Sequence, residues 1–174
     1  MIIGLIPGAM KPYHAGHHYL VLKAIQECDH VIIFTSAKDR KGISGANMLQ
    51  VWKELIIPNI QAEVRFVNSP VRAVWEFLQN PSDTDGHKIR IYGGTEDLAR
   101  FSPDNLSRWA KGVNVTNVAQ EEAGKYLRGV GPSPMAKGEW VRKSIENRDF
   151  ASFKDYLPMF LKPFAKRYLN ILVA

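Results

Sequence analysis

Almost every residue of the run Gly8-Ala9-Met10-Lys11-Pro12-Tyr13-His14-Ala15-Gly16-His17-His18 can serve an anion. His14 and His17 stand three apart where a helical pattern begins, so they share one face of the first turn. A helix start offers unpaired backbone N–H groups and the positive end of the macrodipole, and the spacing predicts that these meet a phosphate together with the imidazoles. Gly8 lets the backbone approach a ligand closely, and Ala9 follows it. Pro12 stiffens the turn, Lys11 adds a cation, and Gly16 leaves no side chain where a phosphate would approach. His18 lies outside this spacing and reads as a packing or surface residue. Three histidines at i, i+3 and i+4 also suit a metal, but no carboxylate or cysteine adjoins them, so no metal site is assigned.

These residues need a scaffold, and the hydrophobic pattern supplies one. Ile2–Ile6 is a short apolar run that reads as a buried parallel strand, Val31–Phe34 is a second, β-branched run, and Val64–Val67, Ile89–Tyr92 and Val113–Val118 read as the third, fourth and fifth strands. Helical spacing separates them over Ala15–Glu27, Asn47–Ile57, where Pro58 stops it, and Val71–Leu78. Ser44 reads as the helix N-cap before Asn47. Pro81–Gly86 reads as a turn-rich loop. Glu139–Ile145 and Ala151–Leu157 are helical, and Pro158 opens a final helical tail whose apolar stretch Tyr168–Val173 hints at an interface. The expectation is a single α/β domain over residues 1–174: a Rossmann-like open parallel sheet of about five strands with helices on both faces, closed by helices from about residue 138. In such a sheet ligands sit outside the carboxyl ends of the strands, near the point where the strand order reverses.

The other strand ends therefore supply the remaining candidates. After the second strand comes Ser36-Ala37-Lys38-Asp39-Arg40-Lys41, where Lys38 is the first choice to neutralise phosphate. After the third, Arg72 is a candidate for an acceptor phosphate. After the fourth, Gly93 and Gly94 allow a flat base to lie on the backbone, and Asp97 suits a ribose or base edge. Trp109 suits stacking. The competing structural readings are an N-cap at Thr95 and a core Trp109.

The pattern G-x-x-x-P-x-H-x-G-H, Gly8 to His17, directly after a first strand, resembles the signature of the nucleotidylyltransferase superfamily. The resemblance implies that His14 and His17 hold a nucleoside triphosphate. It implies transfer of a nucleoside monophosphate to a phosphate-bearing small molecule with release of pyrophosphate, Mg²⁺ accompanying ATP or CTP. The stretch Gly93–Phe101 with Trp109 is similar to the adenylyltransferase branch, so AMP from ATP is preferred. Cytidylyl transfer from CTP and a catalytically silent nucleotide binder are the alternatives. The family's late phosphate signature, a hydroxyl-rich helix start followed by arginine, falls on Lys137-Gly138-Glu139-Trp140-Val141-Arg142. Arg142 matches; Lys137 and Glu139 replace the hydroxyl residues, with Ser133 upstream.

The chain has 174 residues, a net charge of +6 and one cysteine, Cys28. An internal disulfide and a thiolate zinc site are thereby excluded, and a reducing, cytoplasmic setting is expected. The positive charge reads as solubility or as a match for an anionic ligand such as polyphosphate, and the scattering of the basic residues argues against nucleic acid. No membrane association is expected; a homo-oligomer is compatible with the family resemblance.

Overall fold

A computed structural model describes all residues from Met1 to Ala174. Five strands, β1 (Ile2–Gly8), β2 (His30–Ser36), β3 (Glu63–Val67), β4 (Lys88–Gly93) and β5 (Asn114–Ala119), form one parallel sheet in the order β3-β2-β1-β4-β5. The order reverses between β1 and β4. The fold is Rossmann-like α/β.

Both faces of the sheet are covered at its centre, which explains why β1 and β2 read as apolar runs, whereas the edge strands β3 and β5 carry polar residues and are only partly buried. On one face Ile3, Leu5, Ile32, Phe34, Ile89 and Ile91 meet Val74, Phe77 and Leu78 of helix α3 (Pro70–Leu78). On the other, helix α1 (Ala15–Glu27) approaches so closely that a Cβ at Gly4 would lie 3.0 Å from Cys28 Sγ and 3.6 Å from Ala24 Cβ. Cys28 is half-buried, its thiol is pushed up by burial, and it touches the Tyr92 hydroxyl at 3.3 Å.

The chain divides into two compact units. The sheet unit comprises Met1–Ala9, Leu20–Ser36 and Ala62–Glu121. The second comprises Met10–Tyr19, Ala37–Gln61 and Glu122–Ala174. This second unit is helical: the start of α1, then α2 (Gly45–Val51), and later α7 (Gly138–Glu146), α8 (Phe150–Asp155) and α9 (Ala165–Val173).

Several elements differ from the sequence expectation. Pro81–Thr84 is a one-turn helix, α4, because Asn80 caps it by accepting from Ser82 N–H at 3.2 Å and Pro81 opens its first turn. The expected helix Asn47–Ile57 begins at Gly45, capped by Ser44 as anticipated, then widens into a π turn over Trp52–Ile56 and tightens into a 3₁₀ turn over Ile57–Asn59. Pro58 has no N–H to continue an α ladder. The helical tail starts as a 3₁₀ segment over Met159–Phe164, containing Pro163, and becomes α9 only at Ala165. Short helices α5 (Thr95–Leu98) and α6 (Pro103–Trp109) and the hairpin β6 (Tyr126–Leu127) with β7 (Gly131–Pro132) were not anticipated. They are too short to carry a periodicity. No helix is long and apolar enough to cross a membrane.

Candidate phosphate site

The site begins at the N-terminus of α1. His14 occupies the cap position, its carbonyl accepting the first helical bond from His18 N–H at 3.1 Å. Its Nδ1 accepts from Gly16 N–H at 3.0 Å, and His17 Nδ1 accepts in turn from His14 N–H at 3.2 Å. This is a reciprocal capping box with imidazole in both places. Ala15 N–H donates to the carbonyl of Tyr156 at 2.7 Å. The expectation that free backbone N–H groups of this helix start would meet the phosphate is thus corrected: those of His14, Ala15 and Gly16 are spent on protein acceptors. A buried helix end without such partners would be unstable, so the fold satisfies it internally.

The same bonds orient the rings. A nitrogen that accepts from a backbone N–H carries no proton, so each neutral imidazole holds its proton on Nε2. The rings stack with centroids 3.8 Å apart. Burial, and then the charge of Arg142, holds His14 down to about 4. His17 is pushed down by burial first, then by His14 and Arg142. Both are neutral near pH 7, each with one N–H to offer.

His18 packs, as its spacing suggested. It meets the Phe160 ring at 4.7 Å and Tyr13 Oη at 2.9 Å, and burial holds it at about 4. Tyr13 is fully buried, its ring 5.1 Å from that of Trp52.

Cations gather in the same unit. Arg142, on α7, donates to the carbonyl of Lys11 at 3.1 Å. Gly138 makes room for it: a Cβ there would lie 2.9 Å from an Arg142 nitrogen. Arg142 is held below its ordinary value by burial and by Arg40, and Glu139 opposes this. Lys11 is buried, and burial followed by the charge of Arg40 lowers it. The charge of Arg40 thus reaches both Lys11 and Arg142, which adds Arg40 to Lys38, the loop cation that sequence reasoning placed first. The signal available for Arg40 was only its place in the Ser36–Lys41 run. Lys38 is exposed on that loop. The loop is held by Gly45 N–H donating to Asp39 Oδ1 at 2.8 Å. Lys137 stands at the cap of α7 with its ammonium 5.2 Å from the centre of the Trp140 ring. Ser133 is buried.

The remaining candidates belong to the sheet unit, Gly16 excepted, which lies buried in the first turn of α1. Gly8 ends β1, and Ala9 accepts from Thr35 Oγ1 at 3.1 Å. Gly93 ends β4, and Gly94, rather than Thr95, caps α5. A Cβ at Gly94 would meet nothing within 4 Å, so space lies open above its backbone. Asp97 is exposed on α5. Arg72 is exposed and pairs with Glu76 at 3.2 Å. Trp109 is 57% exposed, which rules out the core reading.

Comparison with known proteins fits this geometry. The sequence profile of the citrate lyase ligase C-terminal domain matches residues 4–68, the stretch that holds β1, the signature and the Arg40 loop. Residues 4–68 are thus similar in sequence to that domain, and the fold of the whole chain is the one seen in the following solved structures. Its fold matches a protein assigned as a nicotinate-nucleotide adenylyltransferase from Vibrio parahaemolyticus, with TM-score 0.54 and 12% identity over 95% of this chain and 98% of that one. It also matches a bifunctional NMN adenylyltransferase/ADP ribose pyrophosphatase from Francisella tularensis, with TM-score 0.58 and 14% identity over 97% of this chain and 49% of that one. A third match is TmcAL from Thermotoga maritima, solved with alpha-thio ATP, with TM-score 0.58 and 10% identity over 97% of this chain and 56% of that one. The chain thus spans about half the length of the last two. The Francisella protein has also been solved with AMP and a manganese ion. Among curated proteins, none matches the chain.

Proposed function

We propose that this protein transfers an adenylyl group from ATP to a phosphate-bearing small molecule and releases pyrophosphate. The observation that carries the reading is the capped histidine pair, which leaves two Nε2–H donors side by side among Lys11, Arg40 and Arg142. A triphosphate presents what such a cluster needs: several oxygens and a concentrated negative charge.

An oxygen of the acceptor phosphate attacks the α-phosphorus, a new P–O bond forms, and the bond to the bridging oxygen breaks. Pyrophosphate leaves with that electron pair. A phosphate monoester is already largely ionised near pH 7, so no general base is required. The histidines donate to phosphate oxygens, and Arg142, Lys11 and Arg40 spread positive charge over the leaving pyrophosphate. Lys38 and Lys137 are the further cations of the same two segments. On the family resemblance, Gly8 and Ala9 admit the phosphates, Gly93, Gly94 and Asp97 take the nucleoside, and Arg72 and Trp109 take the acceptor.

The cationic cluster does not suit a resident metal: no group of three His, Cys, Asp or Glu side chains converges, and Asp39 is bonded to Gly45. Magnesium would come bound to the triphosphate through phosphate oxygens and water, and would neutralise charge there.

Replacement of the late hydroxyls by Lys137 and Glu139 favours a second reading, a nucleotide binder without turnover. Magnesium-dependent pyrophosphate release separates them, with ATP and CTP crossed against nicotinamide mononucleotide, nicotinate mononucleotide, phosphopantetheine and glycerol 3-phosphate. Release in an ATP row supports the proposal. Binding of ATP with no release across the grid supports the silent binder.

A further inference from the structure

The signature loop is gripped at alternate residues by the carboxy-terminal helices. The Lys11 carbonyl accepts from Arg142 on α7 at 3.1 Å. The Tyr13 carbonyl accepts from the Tyr168 hydroxyl on α9 at 2.7 Å. Ala15 N–H donates to the carbonyl of Tyr156, at the end of α8, at 2.7 Å. The first and last of these are a side chain that also faces the phosphate cluster and a backbone group. The middle one is a side chain with no other apparent task, contributed from 155 residues away.

We infer that Tyr168 is a positioning residue for the histidine pair, holding Tyr13 so that the imidazoles of His14 and His17 keep their stacked arrangement with both Nδ1 atoms on the backbone and both Nε2–H groups free of it. Tyr168 is fully buried, and its ring packs edge-on against Phe153 at 5.4 Å. Tyr13, which it holds, immediately precedes His14, and the Tyr13 ring lies at 20° to the His17 ring with centroids 5.7 Å apart. A shift of the Tyr13 peptide is therefore passed to both histidines, by chain connectivity to one and by ring contact to the other. A hydrophobic residue would fill the position equally well; the hydroxyl is needed only for the carbonyl it meets. Without it, that carbonyl loses its donor in a buried place, which favours rearrangement of the loop. The apolar stretch Tyr168–Val173 accordingly faces inward at Tyr168, Ile171 and Leu172.

The test is Tyr168→Phe, which keeps the ring and removes the hydroxyl. It rests on the triphosphate reading for one arm and is independent of it in the other. In the ligand-free protein, hydrogen exchange at the His14 and Gly16 amides should accelerate at least about tenfold while the amides of β1 and β2 hold their protection. The ring nitrogen resonances of His14 and His17 should move. Acceleration spread evenly over the chain, or no change at these two amides, overturns the inference. Calorimetry with Mg-ATP should show Kd rising about fivefold to tenfold. Wild-type binding with an unchanged Kd in the variant overturns the positioning role; no wild-type binding refutes the triphosphate reading while the exchange arm still decides on Tyr168. Should the variant fold poorly, the wild-type Tyr168 hydroxyl proton decides: slow exchange with water and a cross-peak to the Tyr13–His14 backbone support the bond, and rapid exchange overturns it.

Discussion

The imidazoles of His14 and His17 stack with ring planes 24° apart, and each is bonded at Nδ1 to a backbone N–H of their shared helical turn. One pair of side chains thus caps α1 and presents two donors. The roles can be separated by substitution. Glutamine at 17 retains a capping acceptor for His14 N–H but moves the donor; alanine loses both. His17→Gln should unfold near the wild-type temperature, whereas His17→Ala should lose about 1 kcal/mol. Both should lower adenylyl transfer at least about a hundredfold. Near-normal turnover in either would remove His17 from the site; equal stability of the two would remove the cap.

Arg142→Ala should weaken Mg-ATP binding by about tenfold or more, because it removes a partly buried guanidinium from the phosphate cluster. Gly138→Ala should weaken it as well, by a smaller factor, since the new methyl displaces that guanidinium without deleting it. Unchanged affinity in both, by calorimetry, would place the late phosphate contact elsewhere.

Arg40 and Lys38 share a loop, and the charge of Arg40 acts on both Lys11 and Arg142. Arg40→Ala should therefore raise the Kd for inorganic triphosphate more than Lys38→Ala does. The same loop depends on Gly45, where a Cβ would fall 2.0 Å from the Ala37 carbonyl oxygen. Gly45→Ala should destabilise the fold by about 3 kcal/mol or more, because backbone must move. A variant as stable as wild type in urea would contradict that packing.

Acid should destabilise the protein through its buried histidines. His14 and His18 titrate at about 4 when folded, against about 6.5 in an unfolded chain. Between those values the unfolded state binds more protons, so the unfolding free energy falls as pH falls from about 6.5 to about 4 and is level, for these groups, above that window. Denaturant titrations at half-unit pH steps should show this slope, with protons taken up on unfolding at pH 5. A stability that stays flat between pH 7 and 4.5 would show that these histidines are not buried neutral.

The order of strands and helices was legible because the central strands β1 and β2 are buried apolar runs, the others are short runs rich in Val and Ile between turn residues, and the long helices carry a 3.6-residue period. The signature too was legible, since Gly8, Pro12, His14, Gly16 and His17 lie within ten consecutive residues, where spacing alone places the two imidazoles on one turn. The late arginine could be matched from its motif, but not what it touches. That Arg142 meets the Lys11 carbonyl, that Tyr168 meets the Tyr13 carbonyl, and that the charge of Arg40 reaches Arg142 all join segments distant in the chain. No local period encodes such pairs; only packing of the carboxy-terminal helices on the loop decides them. The chain also could not disclose that the helix N-terminus spends its N–H groups internally. That outcome depends on which acceptors the fold brings within bonding distance, and in the proposed site it leaves the imidazole Nε2 atoms, rather than these backbone groups, as the donors to an anion.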